Sequence, residues 1–192
     1  MRKLLLFMMV SLDGYIEGPG HDLSWHNVDQ EFNNFAIKQL NESGTIVFGR
    51  KTYQLMESFW PSKEGLEGDP KVAKYMNEAD KVVFSKSLDN VIETKYWKNI
   101  RLVKENVSAE IKQLKNREGK PLIVLGSNNL CVTLLENGLL DEIRLMINPV
   151  VIGKGTPLFT GIKEIYKFTL INTQEFTNGN MLLTYNSREV KI

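Results

Sequence analysis

Ile46-Val47-Phe48-Gly49-Arg50-Lys51-Thr52-Tyr53 decides the fold class. An apolar run of β-branched and aromatic residues meets a glycine, and polar residues with helical character follow at once. That is a buried strand turning directly into a helix. Leu122-Ile123-Val124-Leu125-Gly126-Ser127-Asn128-Asn129 repeats the pattern, and Val83-Phe84-Ser85-Lys86-Ser87 gives a third strand that ends in a polar turn. Continuous apolar runs suit strands covered on both faces, so the sheet they form is mainly parallel.

Further strands are expected at Lys3–Val10, Ile100–Lys104 and Leu140–Asn148. Phe32, Phe35, Ala36 and Leu40 share one helical face, with Asn27 as the expected N-cap and Gln30 completing a capping box. Val107, Ile111 and Leu114 mark a second helix. A third runs from about Asn128 to Asn137 and stops at Gly138. Strand–helix alternation implies right-handed crossovers. The last third changes character: Tyr166–Phe176 and Met181–Asn186 read as strands joined by Thr177-Asn178-Gly179-Asn180, an Asn-Gly hairpin. The fold class is therefore α/β, a mainly parallel central sheet flanked by helices with a C-terminal antiparallel hairpin. Ser58–Asp69, with Pro61 and two glycines, reads as a surface loop.

The chain has 192 residues, 42% hydrophobic and 24% charged, which suits a single domain over residues 2–187. Lys+Arg 24 against Asp+Glu 23 leaves no basic excess, so neither nucleic acid nor membrane is an expected partner. Arg2-Lys3 before Leu4–Val10 is too short and lacks a cleavage site for a signal peptide. One cysteine, Cys131, excludes an internal disulfide and fits the reducing cytoplasm. His21 and His26 have no cysteine or carboxylate cluster beside them, so no metal is expected.

In an open α/β sheet the ligand crevice lies at the carboxyl ends of strands, where helix N-termini bind phosphate. Gly49 lets backbone approach a ligand there. Arg50 and Lys51 place cations at a helix N-terminus, where the dipole disfavours them. A bound anion removes that conflict, whereas the plain alternative leaves both side chains in solvent. Gly126-Ser127-Asn128-Asn129 offers free N–H groups and a hydroxyl, although an ordinary N-cap explains it equally well. Cys131 reads as a small buried residue.

Together these segments resemble the dihydrofolate-reductase superfamily, in its bacterial branch similar to the reductase domain of the riboflavin-pathway deaminase-reductase. Met9-Val10-Ser11-Leu12-Asp13-Gly14-Tyr15-Ile16, Phe48 to Tyr53 and Leu125-Gly126-Ser127 carry the likeness, with Leu140 to Ile143 and Asn148 to Phe159 in the tail. The resemblance implies an NADPH site. Gly49, Arg50, Lys51 and Thr52 would hold the 2′-phosphate and its neighbour, with Ser85 and Lys86 flanking the adenosine. Gly126, Ser127, Asn128 and Asn129 would take the pyrophosphate, and Met9, Val10 and Ile16 would frame the nicotinamide. It also implies a homodimer.

The chain departs from folate reductases at two places. Their first helix carries a pteridine-binding carboxylate, where Asn33 and Asn34 stand here. Their Gly-Gly cis peptide is replaced by Gly126-Ser127, and a cis bond between non-prolines costs ~3 kcal/mol, so sequence alone does not imply one. The expected function is an NADPH-dependent reductase of a small pyrimidine- or pteridine-like molecule, resembling 5-amino-6-(5-phosphoribosylamino)uracil reductase of riboflavin biosynthesis. A nucleotide-binding protein without turnover and a true dihydrofolate reductase are the alternatives. Asp13, then Glu31 and Asp29, are the candidate catalytic acids; Asp13 can equally brace the turn before Gly14, and Asp29 and Glu31 fall in a first helical turn, where the dipole favours acids in any case.

Overall fold

The computed structural model describes residues 1–187. In chain order the elements are β1 (Leu4–Ser11), β2 (Tyr15–Glu17), α1 (Gln30–Asn41), β3 (Thr45–Gly49), α2 (Arg50–Phe59), α3 (Lys63–Gly68), α4 (Pro70–Glu78) and β4 (Asp80–Phe84). Then follow β5 (Ile100–Val103), α5 (Val107–Asn116), β6 (Leu122–Val124), α6 (Asn128–Glu136), β7 (Glu142–Asn148), β8 (Thr156–Pro157), β9 (Thr169–Glu175) and β10 (Met181–Asn186). An eight-stranded sheet has the order β5-β4-β3-β6-β1-β7-β10-β9, and β2 pairs with β8 in a separate two-stranded one. Pairing is parallel from β5 through β7 and antiparallel at β7-β10-β9, so the fold is α/β with the expected C-terminal hairpin at one edge.

Alternation along the strands explains the layers. Val47 of β3 and Val124 of β6 point to a core that α5 and α6 close with Ile111, Leu114 and Leu134. Ile46 and Phe48 point the other way, onto Leu40, Tyr53, Met76 and Trp97. Near β7 and β10, Phe32, Met146, Phe176 and Leu182 form a smaller cluster beneath α1. Burying a side chain of this size is worth roughly 1.5–3 kcal/mol, so the sequence pattern on both faces of β3 accounts for its central place.

Some expectations need correction. The N-cap of α1 is Asp29, whose side chain accepts from Phe32 N at 2.8 Å, rather than Asn27 with Gln30 as a capping box. Asn27 instead bonds to Asn148 and Asn178. The segment expected as a loop over Ser58–Asp69 contains α3, capped by Ser62, and α4 follows with Asp69 as N-cap and Pro70 in its first turn. The Gly126–Ser127 peptide bond is cis. No helix among the described residues is long and apolar enough to cross a membrane.

Candidate functional site

β3 and β6 are neighbours in the sheet, so the turns that leave their carboxyl ends lie side by side. The Gly49 N–H donates to the Gly126 carbonyl at 2.8 Å, which joins the two turns directly. Their fit is close: a Cβ on Gly49 would lie 2.4 Å from Ser127 Oγ, and one on Gly126 would lie 2.6 Å from Thr52 Oγ1. Gly126 also has φ +116°, a conformation that L side chains rarely adopt.

This contact puts the N-terminus of α2 beside that of α6. Neither has a side-chain cap, whereas α1, α3, α4 and α5 are each capped by an Asp, Ser or Asn side chain. Neither has an acid in its first turn. Paired N–H ends of this kind carry partial positive charge and unfilled donors. Arg50 and Lys51 are exposed at the opening of α2, Thr52 and Ser127 are half-buried between the turns, and Asn129 is exposed on the far side. Arg50 has only a 3.5 Å contact to Gln54 Oε1, so its guanidinium is available.

Ser85 and Lys86 follow β4, whose last residue pairs with Gly49, so they leave the same end of the sheet as Arg50. The Ser85 hydroxyl is already used: it accepts from the N–H groups of Ser87 and Leu88. Lys86 is exposed. On the other side of β6 lies β1, which brings Met9 and Val10 to the same edge, paired with Met146 and Ile147 of β7. Ile16, in β2, packs half-buried against the core. The sheet order thus strings Lys86, Arg50, Ser127 and Val10 along one edge.

The loop after β1 is zipped to the tail loop. Leu12 N bonds to Val150 O at 2.8 Å and Leu158 N to Gly14 O at 3.2 Å. Asp13 accepts from the Ser11 hydroxyl at 2.6 Å and from the N–H groups of Gly153 and Ile152 at 2.8 and 3.3 Å. The Ser11 hydroxyl and these amides outweigh desolvation and hold the Asp13 carboxyl below its usual range. At neutral pH it is an ionised brace and has no proton to give. Glu31 accepts from Thr177 N and Oγ1 at 2.8 and 2.6 Å, tying α1 to the hairpin turn, and Asp29 caps α1. Each of these carboxylates therefore has a structural task.

Two residues at this edge were not anticipated as part of it. Glu17 accepts from the Thr156 hydroxyl at 2.6 Å and pairs with His21 Nδ1 at 2.9 Å. Burial raises its carboxyl, but the Thr156 and His21 hydrogen bonds outweigh that and leave it below the ordinary value, with Lys51 adding an attractive field. A histidine four residues after a glutamate was the available signal, but Thr156 and Lys51 reach Glu17 only through the tertiary fold. His26 is half-buried, and desolvation lowers its pKa.

A model of the RibD C-terminal domain family matches residues 2–182. The protein YyaP of Bacillus subtilis (strain 168) is 32% identical over 187 residues, covering 96% of this chain and 95% of YyaP. Among solved structures, a putative riboflavin biosynthesis protein from Shewanella sp. PV-4 superposes with a TM-score of 0.74 at 22% identity, over 97% of this chain and 99% of that one. A diaminohydroxyphosphoribosylaminopyrimidine deaminase/5-amino-6-(5-phosphoribosylamino)uracil reductase from Thermotoga maritima superposes at 0.68 with 18% identity. The match covers 97% of this chain but 57% of that bifunctional protein. At these identities the superpositions establish a shared fold.

Proposed function

The chain belongs to the RibD C-terminal domain family, and from that premise we propose that it is a cytoplasmic, NADPH-dependent reductase of a small pyrimidine- or pteridine-like molecule. One observation carries the reading. Two uncapped helix N-termini are joined through Gly49 and Gly126, with Arg50 and Lys51 exposed beside them. Oriented N–H donors with adjacent cations fit a dinucleotide that bears an extra phosphate.

When bound, NADPH supplies the hydride. Arg50 and Lys51 would hold its 2′-phosphate, and the backbone from Gly126 to Asn129 its pyrophosphate. Met9, Val10 and Ile16 would border the reacting ring. These residues bind and orient the reactants and exclude water, which can lower a barrier substantially without an acid or base. That suits a site whose nearby carboxylates Asp13, Asp29 and Glu31 are all engaged elsewhere.

The test is a titration with NADPH and with NADH, following nicotinamide fluorescence, on the wild type and on Arg50→Ala. Losing a hydrogen bond between charged groups costs about 1.5–3 kcal/mol, so Arg50→Ala should weaken NADPH by roughly ten- to a hundredfold and leave NADH unchanged. Binding of neither nucleotide would overturn the reading. Binding without turnover is the second reading, favoured by those same engaged carboxylates. Substrate-dependent loss of NADPH absorbance separates the two.

The reading includes a homodimer. In its support, every residue of the edge strand β9 is exposed, and Leu170 and Ile171 are half-exposed at 50% and 48%. An edge strand without charge along most of its length is an open template for pairing. Sedimentation velocity of the wild type and of Ile171→Lys tests it: a dimer that the substitution dissociates supports the proposal, and a monomeric wild type ends it.

A further inference from the structure

The hairpin turn carries Asn178-Gly179, which the reading of the site leaves unused. Asparagine before glycine is the sequence in which the following backbone nitrogen most readily reaches the side-chain carbonyl carbon, because glycine has no Cβ to obstruct it. We propose that Asn178–Gly179 is a deamidation site held closed by the loop that precedes α1, so that the turn is modified when that loop lets go.

The chemistry needs only water. The Gly179 nitrogen gives up its proton to base and bonds to Asn178 Cγ; the Cγ–Nδ2 bond breaks and ammonia leaves. Water then opens the cyclic imide at either carbonyl, giving an aspartyl or an isoaspartyl residue. Nothing is oxidised or reduced.

Nucleophile and electrophile are both tied in the folded protein. The Gly179 N–H donates to Phe176 O at 2.9 Å. Asn178 Nδ2 donates to Asn27 O at 3.1 Å, and Asn178 Oδ1 accepts from Asn180 N at 3.0 Å. Asn27 answers through its own side chain, donating from Nδ2 to Asn178 O at 2.6 Å. Asn180, 1% exposed, also donates to Asn27 O, at 2.8 Å. Behind Asn27 stands Asn148, fully buried, whose Oδ1 accepts from Asn27 N at 2.8 Å and whose Nδ2 donates to the carbonyls of Met146 and Val10. The turn is therefore latched through Asn27 and Asn148 to the carboxyl end of β1. Cyclisation needs Asn178 to leave Asn27 and Gly179 to leave Phe176.

Conversion to aspartate removes one bond of the latch. Conversion replaces the Nδ2 donor with a carboxylate oxygen facing the Asn27 carbonyl, two acceptors with no proton between them.

Peptide mapping of the purified protein, incubated in mildly alkaline buffer, measures aspartate and isoaspartate at position 178. Wild type is compared in native buffer and in urea, and with Asn27→Ala in native buffer. The native rate should fall well below the unfolded rate. Asn27→Ala should raise it by about fivefold, the equivalent of one hydrogen bond of about 1 kcal/mol, while circular dichroism shows it folded. Equal native and unfolded rates would overturn the proposal, as would a folded Asn27→Ala protein with an unchanged rate. Should Asn27→Ala not fold, hydrogen exchange at the Gly179 amide of the wild type decides. Protection that matches the slowing of deamidation supports the latch, and exchange at the unprotected rate sinks it.

Discussion

At the scale of single residues, titration states follow from what each group touches. Burial raises the Cys131 thiol to about 12, so it stays protonated and enclosed in the core. A thiol reagent should leave it unmodified in native protein at neutral pH and label it fully in denaturant, as an absorbance assay would record. Glu17 gives a pH prediction. Its folded pKa lies below the unfolded one, so its links to Thr156 and His21 contribute fully above the ordinary glutamate range of about 4.3 and are lost as pH falls through the folded value. Melting temperature against pH should fall on the acid side for the wild type and less steeply for Glu17→Gln. Residues of this kind were hard to find from sequence. Arg50 and Lys51 were legible because a cation at a helix N-terminus is locally anomalous. Asp13 and Glu31 looked equally chemical; Ser11 gave a local sign that Asp13 braces its turn, whereas Gly153 and Thr177, the partners that engage the two carboxylates across the fold, lie far along the chain.

At the scale of elements, the packing of two turns predicts the cost of a small change at the site. Gly49→Ala would place a methyl group 2.4 Å from Ser127 Oγ and 3.0 Å from Ser127 N. The backbone of α6 would have to move, so a loss of roughly 1–3 kcal/mol is expected, with weaker nucleotide binding. Urea denaturation and the fluorescence titration measure the two effects separately. Strands β3 and β10 were readable to the residue because they are uninterrupted and flanked by Gly or Asn. Helix α3 was not, since Gly65 and Gly68 lower its intrinsic propensity. Ser62 caps it, and a Cβ on Gly65 would run into the Phe59 carbonyl, so that glycine is required by close approach to the end of α2 rather than by a turn. The start of α4 had a readable signal in Asp69-Pro70, an acid cap followed by proline at the first helical position. The cap of α1 was misplaced by two residues because Asn27 and Asp29 are both suitable caps; the long-range pull of Asn148 and Asn178 on Asn27 decided between them.

At the scale of the whole molecule, the order of strands is not the order of the chain. β1 precedes the other strands of this sheet in the chain, yet its sheet neighbours are β6 and β7, with Leu4 opposite Leu122 and Leu5 opposite Glu142. During synthesis its apolar side chains must therefore wait until β6 and β7 have left the ribosome. Long-range parallel pairings of this kind close large loops before they bring stabilisation, which slows folding and lengthens exposure of sticky segments. β3 and β4 are adjacent and can associate early, but they gain no central partner until β6 arrives. A chain that stops before β6 should remain unfolded and aggregate, whatever its helices can do alone. In a cell, such a nascent chain is a natural client for a chaperone at the tunnel exit.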